Sequence, residues 1–133
     1  MTSRVDTSVL ISIVKAEPSA GAWVNVLEDV CTGGDIVICD VVAAEYFAVL
    51  LDEKKFYASL SALGITFSPM SIESAQMAGR IFKQYRREGG PREHLVPDFL
   101  IGAHAQLQAE RIAAIDRGYL RRYFPKLQIV KAS

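Results

Sequence analysis

Short apolar segments rich in β-branched residues alternate along the chain with longer helical patterns, and this alternation restricts the fold more than any other feature. The residues predicted to form strands are 3–6, 35–39, 65–68, 112–115 and 127–130. Strands that alternate with helices form a mostly parallel sheet that is covered on both faces. The sequence therefore predicts an α/β fold, in which ligands bind beyond the carboxyl ends of the strands, near the point where the strand order reverses.

The intervals between the strands have the periodicity of helices. One or two helices are predicted over residues 8–15 and 20–30, and a pair of helices over 41–63. A longer helix is predicted to begin at Ser71, because serine is a good N-cap and Glu73 lies in the first turn. A further helix is predicted from Pro97 and Asp98 to about residue 110.

Length and composition favour one domain over residues 1–133. Half of the 133 residues are hydrophobic and 23% are charged, which suits a filled core and argues against extended disorder. Only "REGGPREH" interrupts the helical patterns strongly, and no repeat or low-complexity tract divides the chain. We therefore expect a single domain.

Charge and cysteine usage limit the partners and the compartment. Fifteen basic residues balance fifteen acidic ones, so a polyanion would have to bind to a local basic patch. Cys31 and Cys39 are too few for a zinc site or a disulfide framework, which favours reduced thiols and a cytoplasmic protein. The N-terminal apolar run is too short for a membrane span and lacks the features of a signal peptide, so we expect a soluble protein without a membrane partner.

Four carboxylates occupy unusual positions in this pattern. Asp6 ends the first predicted strand and Asp116 ends the fourth, so both are expected at the same edge of a parallel sheet. Asp98 begins the helix that leads into the fourth strand, and Glu45 interrupts the apolar run "VVAAEYFAVLL". Taken singly, each aspartate has a simple structural explanation as a helix cap or turn residue, and an ion pair with Lys54 or an arginine would account for Glu45.

Taken together, the four acids indicate a cation. Carboxylates from four elements that met at one edge would repel one another unless a positive ion neutralised them. Oxygen ligands without histidine or thiolate suit Mg²⁺ or Mn²⁺ rather than Zn²⁺. A metal of this kind usually keeps several waters and binds phosphate oxygens, so the pattern predicts phosphoryl chemistry with a metal-activated water.

These acids and their surroundings resemble the PIN domain family, and in particular the short VapC-like toxins, which are ribonucleases. The resemblance covers nearly the whole chain and rests on "VDTSVL", "VVAAEYFAVL", "PDFLIGAHA" and "AAIDRGYLRRYFPKLQIV". It implies a three-layer α/β/α domain with a five-stranded parallel sheet in the order 3-2-1-4-5, which would place the first and fourth strands side by side.

The resemblance also implies the roles of individual residues. It assigns catalysis and Mg²⁺ or Mn²⁺ binding to Asp6, Glu45, Asp98 and Asp116, with a supporting contact from the hydroxyl of Thr7 or Ser8. It implies a toxin endoribonuclease, a VapB-like antitoxin as partner and a homodimer. Many relatives carry threonine or serine two residues before the last aspartate, where this chain has Ala114. Loss of such an outer hydrogen bond can cost roughly tenfold to a hundredfold in metal affinity or activity.

RNA binding would need local positive charge. The residues predicted to supply it are Arg117, Arg121 and Arg122, just after Asp116, and Arg80, Lys83 and Arg87 on the helix from Ser71. The second group has the alternative explanation of an ordinary solvated helix face. His94 and His104 are expected to be structural, because a lone histidine without a partner carries little information.

Three alternatives remain open from the sequence. The first is a PIN-like module that binds RNA or protein with a weakened metal site, favoured only by Ala114. The second is a receiver-like phosphoacceptor domain, although the chain lacks an adjacent acid pair after the first strand and a lysine after the last. The third is cleavage of structured DNA instead of RNA, which uses the same metal chemistry.

Overall fold

The computed structural model describes residues 1–91, 96–115 and 118–132 of the chain. The elements follow one another as β1 (Ser3–Val5), α1 (Thr7–Val14), α2 (Ala20–Thr32), β2 (Ile36–Ile38), α3 (Asp40–Leu50), α4 (Glu53–Ala62), β3 (Ile65–Phe67), α5 (Ile72–Arg87), α6 (Val96–Gln108), β4 (Arg111–Ala113), α7 (Tyr119–Tyr123) and β5 (Gln128–Val130).

The five strands form one parallel sheet in the order β3-β2-β1-β4-β5. This order confirms the one that the family resemblance implied. It also differs from the order 2-1-3-4-5 of receiver-like domains, so the receiver-like alternative is wrong. Strand β1 lies at the centre between β2 and β4, which makes its carboxyl end the point where the strand order reverses.

The sheet is buried at its centre. Every residue of β1 and β2 is buried, which requires cover on both faces of the sheet. Helix α5 packs against α6, while α1 packs against α2 and α3. The core contains Val5, Ile38 and Ile112 from the strands together with Leu27 and Phe99 from the helices. In the described part of the chain, no helix combines the length and the apolar character needed to cross a bilayer.

Local sequence explains where most elements begin. Strand β1 ends one residue earlier than predicted, because Asp6 caps α1 and accepts a hydrogen bond from the amide of Ser8. Ser71 caps α5 as predicted, with its side chain accepting from the Ser74 amide. The predicted helix pair divides at Leu51, whose φ of 49° ends α3, and at Asp52, which caps α4.

Several boundaries and one element differ from the predictions, and β2, β3 and β5 are each one or two residues shorter than predicted. Strand β4 begins at Arg111, one residue before the predicted start at 112. It ends at Ala113, two residues before the predicted end at 115. Helix α6 begins one residue ahead of Pro97 and ends at Gln108. The five-residue helix α7 was not expected, because so short a segment gives no helical periodicity to detect.

Candidate active site

Asp6 is held at the carboxyl edge of the sheet by its own backbone and by α1. Its amide donates to the carbonyl of Ala113 at 3.0 Å, which ties the residue after β1 to the end of β4. Its carboxylate accepts from the amide of Ser8 at 3.3 Å and also from the Ser8 hydroxyl. Asp6 can therefore cap α1 and also belong to the candidate site, because its half-buried side chain also lines a cavity.

Glu45 reaches the same cavity from α3. Thr7, which is 8% exposed, donates its hydroxyl to Oε1 of Glu45 at 2.7 Å. This hydrogen bond joins the first residue of α1 to the middle of α3 and restricts the rotamer of the glutamate. The supporting hydroxyls are thus divided between two acids, with Thr7 contacting Glu45 and Ser8 contacting Asp6.

Asp98 enters the cavity from the first turn of α6. A carboxylate is favoured there by the partial positive charge of the helix N-terminus. The next residue, Phe99, is fully buried and packs against the rings of Phe82 and Tyr85 of α5. Asp98 is therefore anchored by a neighbour in the core although its own side chain is only half-buried.

The three acids line one cavity of about 230 Å³ at the carboxyl edge of the sheet, which we call the acid cavity. Its other lining residues are Thr7, Ser8, Ile11, Ile101, Ile115, Tyr119 and Leu120. Asp116, the fourth predicted ligand, lies outside the described residues, as does Arg117. Among the described residues, no three histidine, cysteine, aspartate or glutamate side chains are close enough to form a metal-binding group. The acids share a cavity, but they do not form a closed ligand shell.

The donor atoms nevertheless suit a hard divalent cation. Every potential ligand in the acid cavity is an oxygen, from carboxylates or hydroxyls, and no thiol or imidazole lines it among the described residues. Mg²⁺ commonly keeps several of its waters and uses only one or two carboxylates directly. A cation could therefore bind in the acid cavity without all of the acids touching it.

The predicted basic residues have different positions relative to the acid cavity. Arg122 lies on α7, directly after Tyr119–Arg121, and lines a second cleft that shares Tyr119 with the acid cavity. Arg121 is exposed on the same helix. The exposed residues Arg80, Lys83 and Arg87 of α5 line neither of these two depressions.

His104 lies outside the acid cavity, in a buried polar cluster with Arg4. Its Nε2 is 3.2 Å from the hydroxyl of Ser68, and its Nδ1 has no hydrogen-bond partner in the described part of the chain. Burial, together with the positive charge of Arg4, lowers the pKa of His104 to about 4, against smaller opposing contributions from Ser68 and Asp40. His104 is therefore neutral at pH 7. His94 falls in the residues that are not described.

Sequence reasoning did not identify Arg4 or Tyr119. Arg4 is fully buried in β1, and its guanidinium donates to the sulfur of Cys39 at 3.1 Å. An arginine in a central strand follows no residue pattern, because charged residues are rarely buried. Tyr119 lies in the unexpected helix α7, and its position three residues after Asp116 is the one signal that could have indicated a place near the site.

These observations define a class of protein: an α/β domain with a five-stranded parallel sheet and a carboxylate-lined cavity where the strand order reverses. Residues 4–125 match the model of the PIN domain family. The chain therefore belongs to the PIN domain family, which confirms the resemblance inferred from the four acidic motifs. No curated protein sequence matches the chain.

Solved structures share the fold over the full length of the chain. VapBC2 from Rickettsia felis, bound to a DNA fragment from its promoter, matches with 17% identity and a TM-score of 0.76, covering 100% of both chains. VapBC-1 from nontypeable Haemophilus influenzae matches with 16% identity and a TM-score of 0.69, covering 98% of both. Mycobacterium tuberculosis VapC20, a sarcin-ricin loop cleaving toxin, matches with 14% identity and a TM-score of 0.61, covering 95% of this chain and 98% of that one. At such identities the likeness establishes a common fold.

Proposed function

We propose that this protein is a Mg²⁺- or Mn²⁺-dependent endoribonuclease that acts as the toxin of a toxin–antitoxin pair in the cytoplasm. One observation carries the proposal: Asp6, Glu45 and Asp98, from three separate elements, line one cavity at the switch point of a PIN domain. The structural likeness to VapC20, described as a toxin that cleaves the sarcin-ricin loop, supports RNA as the substrate.

In this proposal Asp6, Glu45, Asp98 and Asp116 hold one or two divalent cations. When bound, such a cation stabilises negative charge on a phosphate and lowers the pKa of a water molecule. The protein's part is to fix the carboxylates. Asp6 is held by the β4 backbone and by Ser8, and Thr7 donates to Oε1 of Glu45, so both carboxylates would be fixed if they held a cation.

The reaction then needs no side-chain nucleophile. The oxygen of a water forms a bond to phosphorus as that water loses one proton, the bond from phosphorus to the leaving ribose oxygen breaks, and the leaving oxygen takes up one proton. Water attack at one phosphodiester leaves one strand with a terminal phosphate and the other with a terminal hydroxyl. The apolar residues Ile11, Ile101 and Leu120 line the acid cavity beside the acids.

The decisive experiment is cleavage of tRNA, rRNA and mRNA fragments by the purified protein with Mg²⁺, with Mn²⁺ or with EDTA. We expect cleavage with either metal, no cleavage in EDTA, and loss of cleavage in Asp98→Asn and Asp6→Asn. Asp29→Asn, a matched change on the exposed surface of α2, is expected to cleave as the wild type does. Equal cleavage by Asp98→Asn and the wild type, or no cleavage of any RNA, would refute the proposal. Structured DNA in the same assay separates the two nucleic acids as substrates.

A catalytically weak PIN module that binds RNA or protein is the second candidate, and Ala114 is the observation that favours it. Its side chain is buried, and its amide donates to the carbonyl of Val130 at 3.3 Å, so its methyl group offers no hydrogen bond near the end of β4. RNA binding that persists in EDTA without any metal-dependent cleavage would identify this second function. Restoring the hydroxyl with Ala114→Thr would then be expected to increase metal-dependent cleavage.

The proposed partners are a VapB-like antitoxin and a second copy of the chain. The solved structures from Rickettsia felis and Haemophilus influenzae are VapBC assemblies. In this chain Phe47, Leu51, Tyr57 and Phe67 expose between 38% and 77% of their area on or next to α3, α4 and β3, a face suited to an apolar partner. Mass measurement in solution tests the homodimer, and co-purification of the product of an adjacent gene tests the antitoxin.

RNA contact by α7 has a separate test. Arg122 exposes 68% of its side chain and forms a weak ion pair with Glu88 at 3.7 Å. If the guanidinium contacts a phosphate, the slope of log affinity against log salt should become shallower by about one in Arg122→Ala. Lys15→Ala, at an exposed cation after α1 that lines neither depression, is the control, and an unchanged slope in Arg122→Ala would exclude the phosphate contact.

A further inference from the structure

A second cleft of about 410 Å³ adjoins the acid cavity and is lined by aromatic rings and glycine backbone. Tyr119 lines both depressions. Tyr123 and Arg122 of α7 line the second cleft together with Gly90 and Glu88, which follow α5. We call this depression the tyrosine cleft. It shares Tyr119 with the acid cavity, and among the described residues that line it there is no proposed metal ligand.

The rings of the tyrosine cleft are held in place from below by Phe99. Tyr119 and Tyr123 both pack edge-on to Phe99, with centroid distances of 6.0 and 6.1 Å and interplanar angles of 65° and 77°. Both tyrosines are themselves half-buried, so part of each ring remains accessible. Because Phe99 directly follows Asp98, the same buried residue fixes the position of a proposed metal ligand and of the two rings.

Gly90 lines the tyrosine cleft and packs closely against the ring of Tyr85. A Cβ placed on Gly90 would come within 2.5 Å of the Tyr85 ring, so no other residue fits there without movement of that buried ring. The guanidinium of Arg122 lies over the Tyr123 ring at 5.4 Å and is exposed at the rim. The cleft therefore combines half-buried tyrosines with an exposed guanidinium, which lies 3.7 Å from the carboxylate of Glu88.

We propose that the tyrosine cleft binds one nucleobase of single-stranded RNA, next to the phosphate that lies in the acid cavity, with Tyr119 as the stacking residue and Arg122 on the adjoining phosphate. This proposal rests on the proposed ribonuclease function and names the form of RNA that the site accepts. Aromatic side chains beside a positive groove are the usual means of holding single strands, because every base offers a flat face for stacking. A paired duplex keeps its bases stacked inside and could not place one in the cleft.

The test measures RNA binding in EDTA, so that neither cleavage nor the metal enters the result. Fluorescence anisotropy with a short labelled single strand is expected to show roughly 5- to 150-fold weaker binding by Tyr119→Leu, the range for loss of one base–aromatic stack. Ile72→Ala is the control for loss of an exposed apolar side chain, because Ile72 is 69% exposed on α5 and lines neither the acid cavity nor the tyrosine cleft. Tyr119→Phe, which keeps the ring, is expected to bind more tightly than Tyr119→Leu.

A second measurement uses the wild-type protein and needs no variant. Single abasic substitutions along the oligonucleotide are expected to weaken binding at one position above all others, and that effect should disappear in Tyr119→Leu. Equal binding by the wild type and Tyr119→Leu, or an abasic scan without a distinct position, would overturn the proposal. A different result would show that the ribonuclease proposal fails. In that case one abasic position would still weaken binding above all others in EDTA, but no RNA would be cleaved when Mg²⁺ or Mn²⁺ is added.

Discussion

At the scale of single residues, the buried imidazole of His104 should make the stability of the fold depend on pH. Its pKa is about 4 in the folded chain, while the unfolded chain returns it to about 6.5. Between these values the unfolded state binds the proton and the folded state does not, so the free energy of unfolding falls as the pH drops. We expect a loss of up to about 3 kcal/mol by pH 4 and no contribution from His104 above pH 6.5.

Urea denaturation at pH values from 7 to 4 measures this dependence. His104→Gln cannot take up the proton, so its stability should fall less steeply with decreasing pH than that of the wild type. Arg4→Met should also reduce the slope, because removal of the buried positive charge raises the pKa of His104 towards its ordinary value. Parallel curves for His104→Gln and the wild type would show that His104 does not titrate in this range.

The hydrogen bond from Thr7 to Glu45 gives the second prediction. Thr7→Val keeps the shape of the side chain and removes the donor that lies 2.7 Å from Oε1 of Glu45. If this bond orients a metal ligand, metal-dependent cleavage should fall roughly tenfold to a hundredfold, whereas Thr7→Ser should retain more activity. Steady-state cleavage and titration with Mn²⁺ measure both effects.

The matched control for that experiment is Thr32→Val at the end of α2. Thr32 donates to the backbone carbonyl of Asp29 at an exposed position and does not line the acid cavity. It should lose some helix stability and no activity. Similar losses of cleavage in Thr7→Val and Thr7→Ser would indicate that the shape of the site, rather than the hydroxyl, matters at position 7.

Individual residues of the candidate site could be predicted from sequence only where their chemistry was out of place. Glu45 in an apolar helix and Asp6 after a strand were conspicuous because an unpaired carboxylate is costly to bury. Tyr119 was not, because a tyrosine in a mixed segment is compatible with core, surface or interface. Tyr119 lines both depressions and packs against Phe99, a contact between residues 20 positions apart in the chain.

At the scale of elements, the close contact between α6 and the segment after α7 gives the third prediction. Gly102 faces the ring of Phe124, which is fully buried, and a Cβ on Gly102 would overlap that ring. Gly102→Ala should therefore destabilise the protein by about 1–3 kcal/mol, the usual cost of overpacking, although alanine is the better helix former. Thermal or urea denaturation measures the change.

Gly79 on α5 is the matched control for this substitution. It is exposed, and an added Cβ would meet no atom within 4 Å, so Gly79→Ala should stabilise the protein by about 0.5–1 kcal/mol. The two substitutions are chemically identical and have opposite expected signs. A stabilising effect of Gly102→Ala would mean that α6 and the Phe124 ring can separate at little cost.

Element positions were predicted well where side chains themselves specify an end. Ser71 and Asp6, both considered as caps from the sequence, cap helices through local hydrogen bonds, whereas the cap at Asp52 was not predicted within the helix pair over 41–63. Helix α7 has no such signal, because Gly118 makes no side-chain cap and five residues make little more than one turn. Its helical conformation is instead accounted for by the tertiary packing of Leu120, Tyr123 and Phe124.

At the scale of the whole molecule, the fold class followed from the alternation of strands and helices, but the strand order did not. The same alternation is compatible with 2-1-3-4-5 and with 3-2-1-4-5, because both cover a parallel sheet on two faces. The family resemblance supplied the order, and with it the adjacency of β1 and β4 that brings Asp6 to the backbone of Ala113. That adjacency is a long-range contact that no local pattern encodes.

A cation bound by acids from several elements should stabilise the whole domain, which gives the last prediction. A ligand that binds only the folded state raises the free energy of unfolding by about 2.7 kcal/mol at a hundred times its dissociation constant. We therefore expect Mn²⁺ or Mg²⁺ to raise the unfolding temperature progressively, and EDTA to reverse the rise. The increase in Asp98→Asn should be much smaller, since a neutral amide replaces one of the charges that attract the cation.

The informative quantity is the rise in unfolding temperature that the metal causes. This rise is measured within each variant and does not depend on that variant's stability in EDTA. Asp98→Asn also alters the favourable charge at the start of α6, which changes the baseline without the metal. Asp29→Asn on α2 should keep the full increment. Equal increments in Asp98→Asn and the wild type would mean that the metal stabilises the domain from another site, and the acid cavity would then need a different explanation.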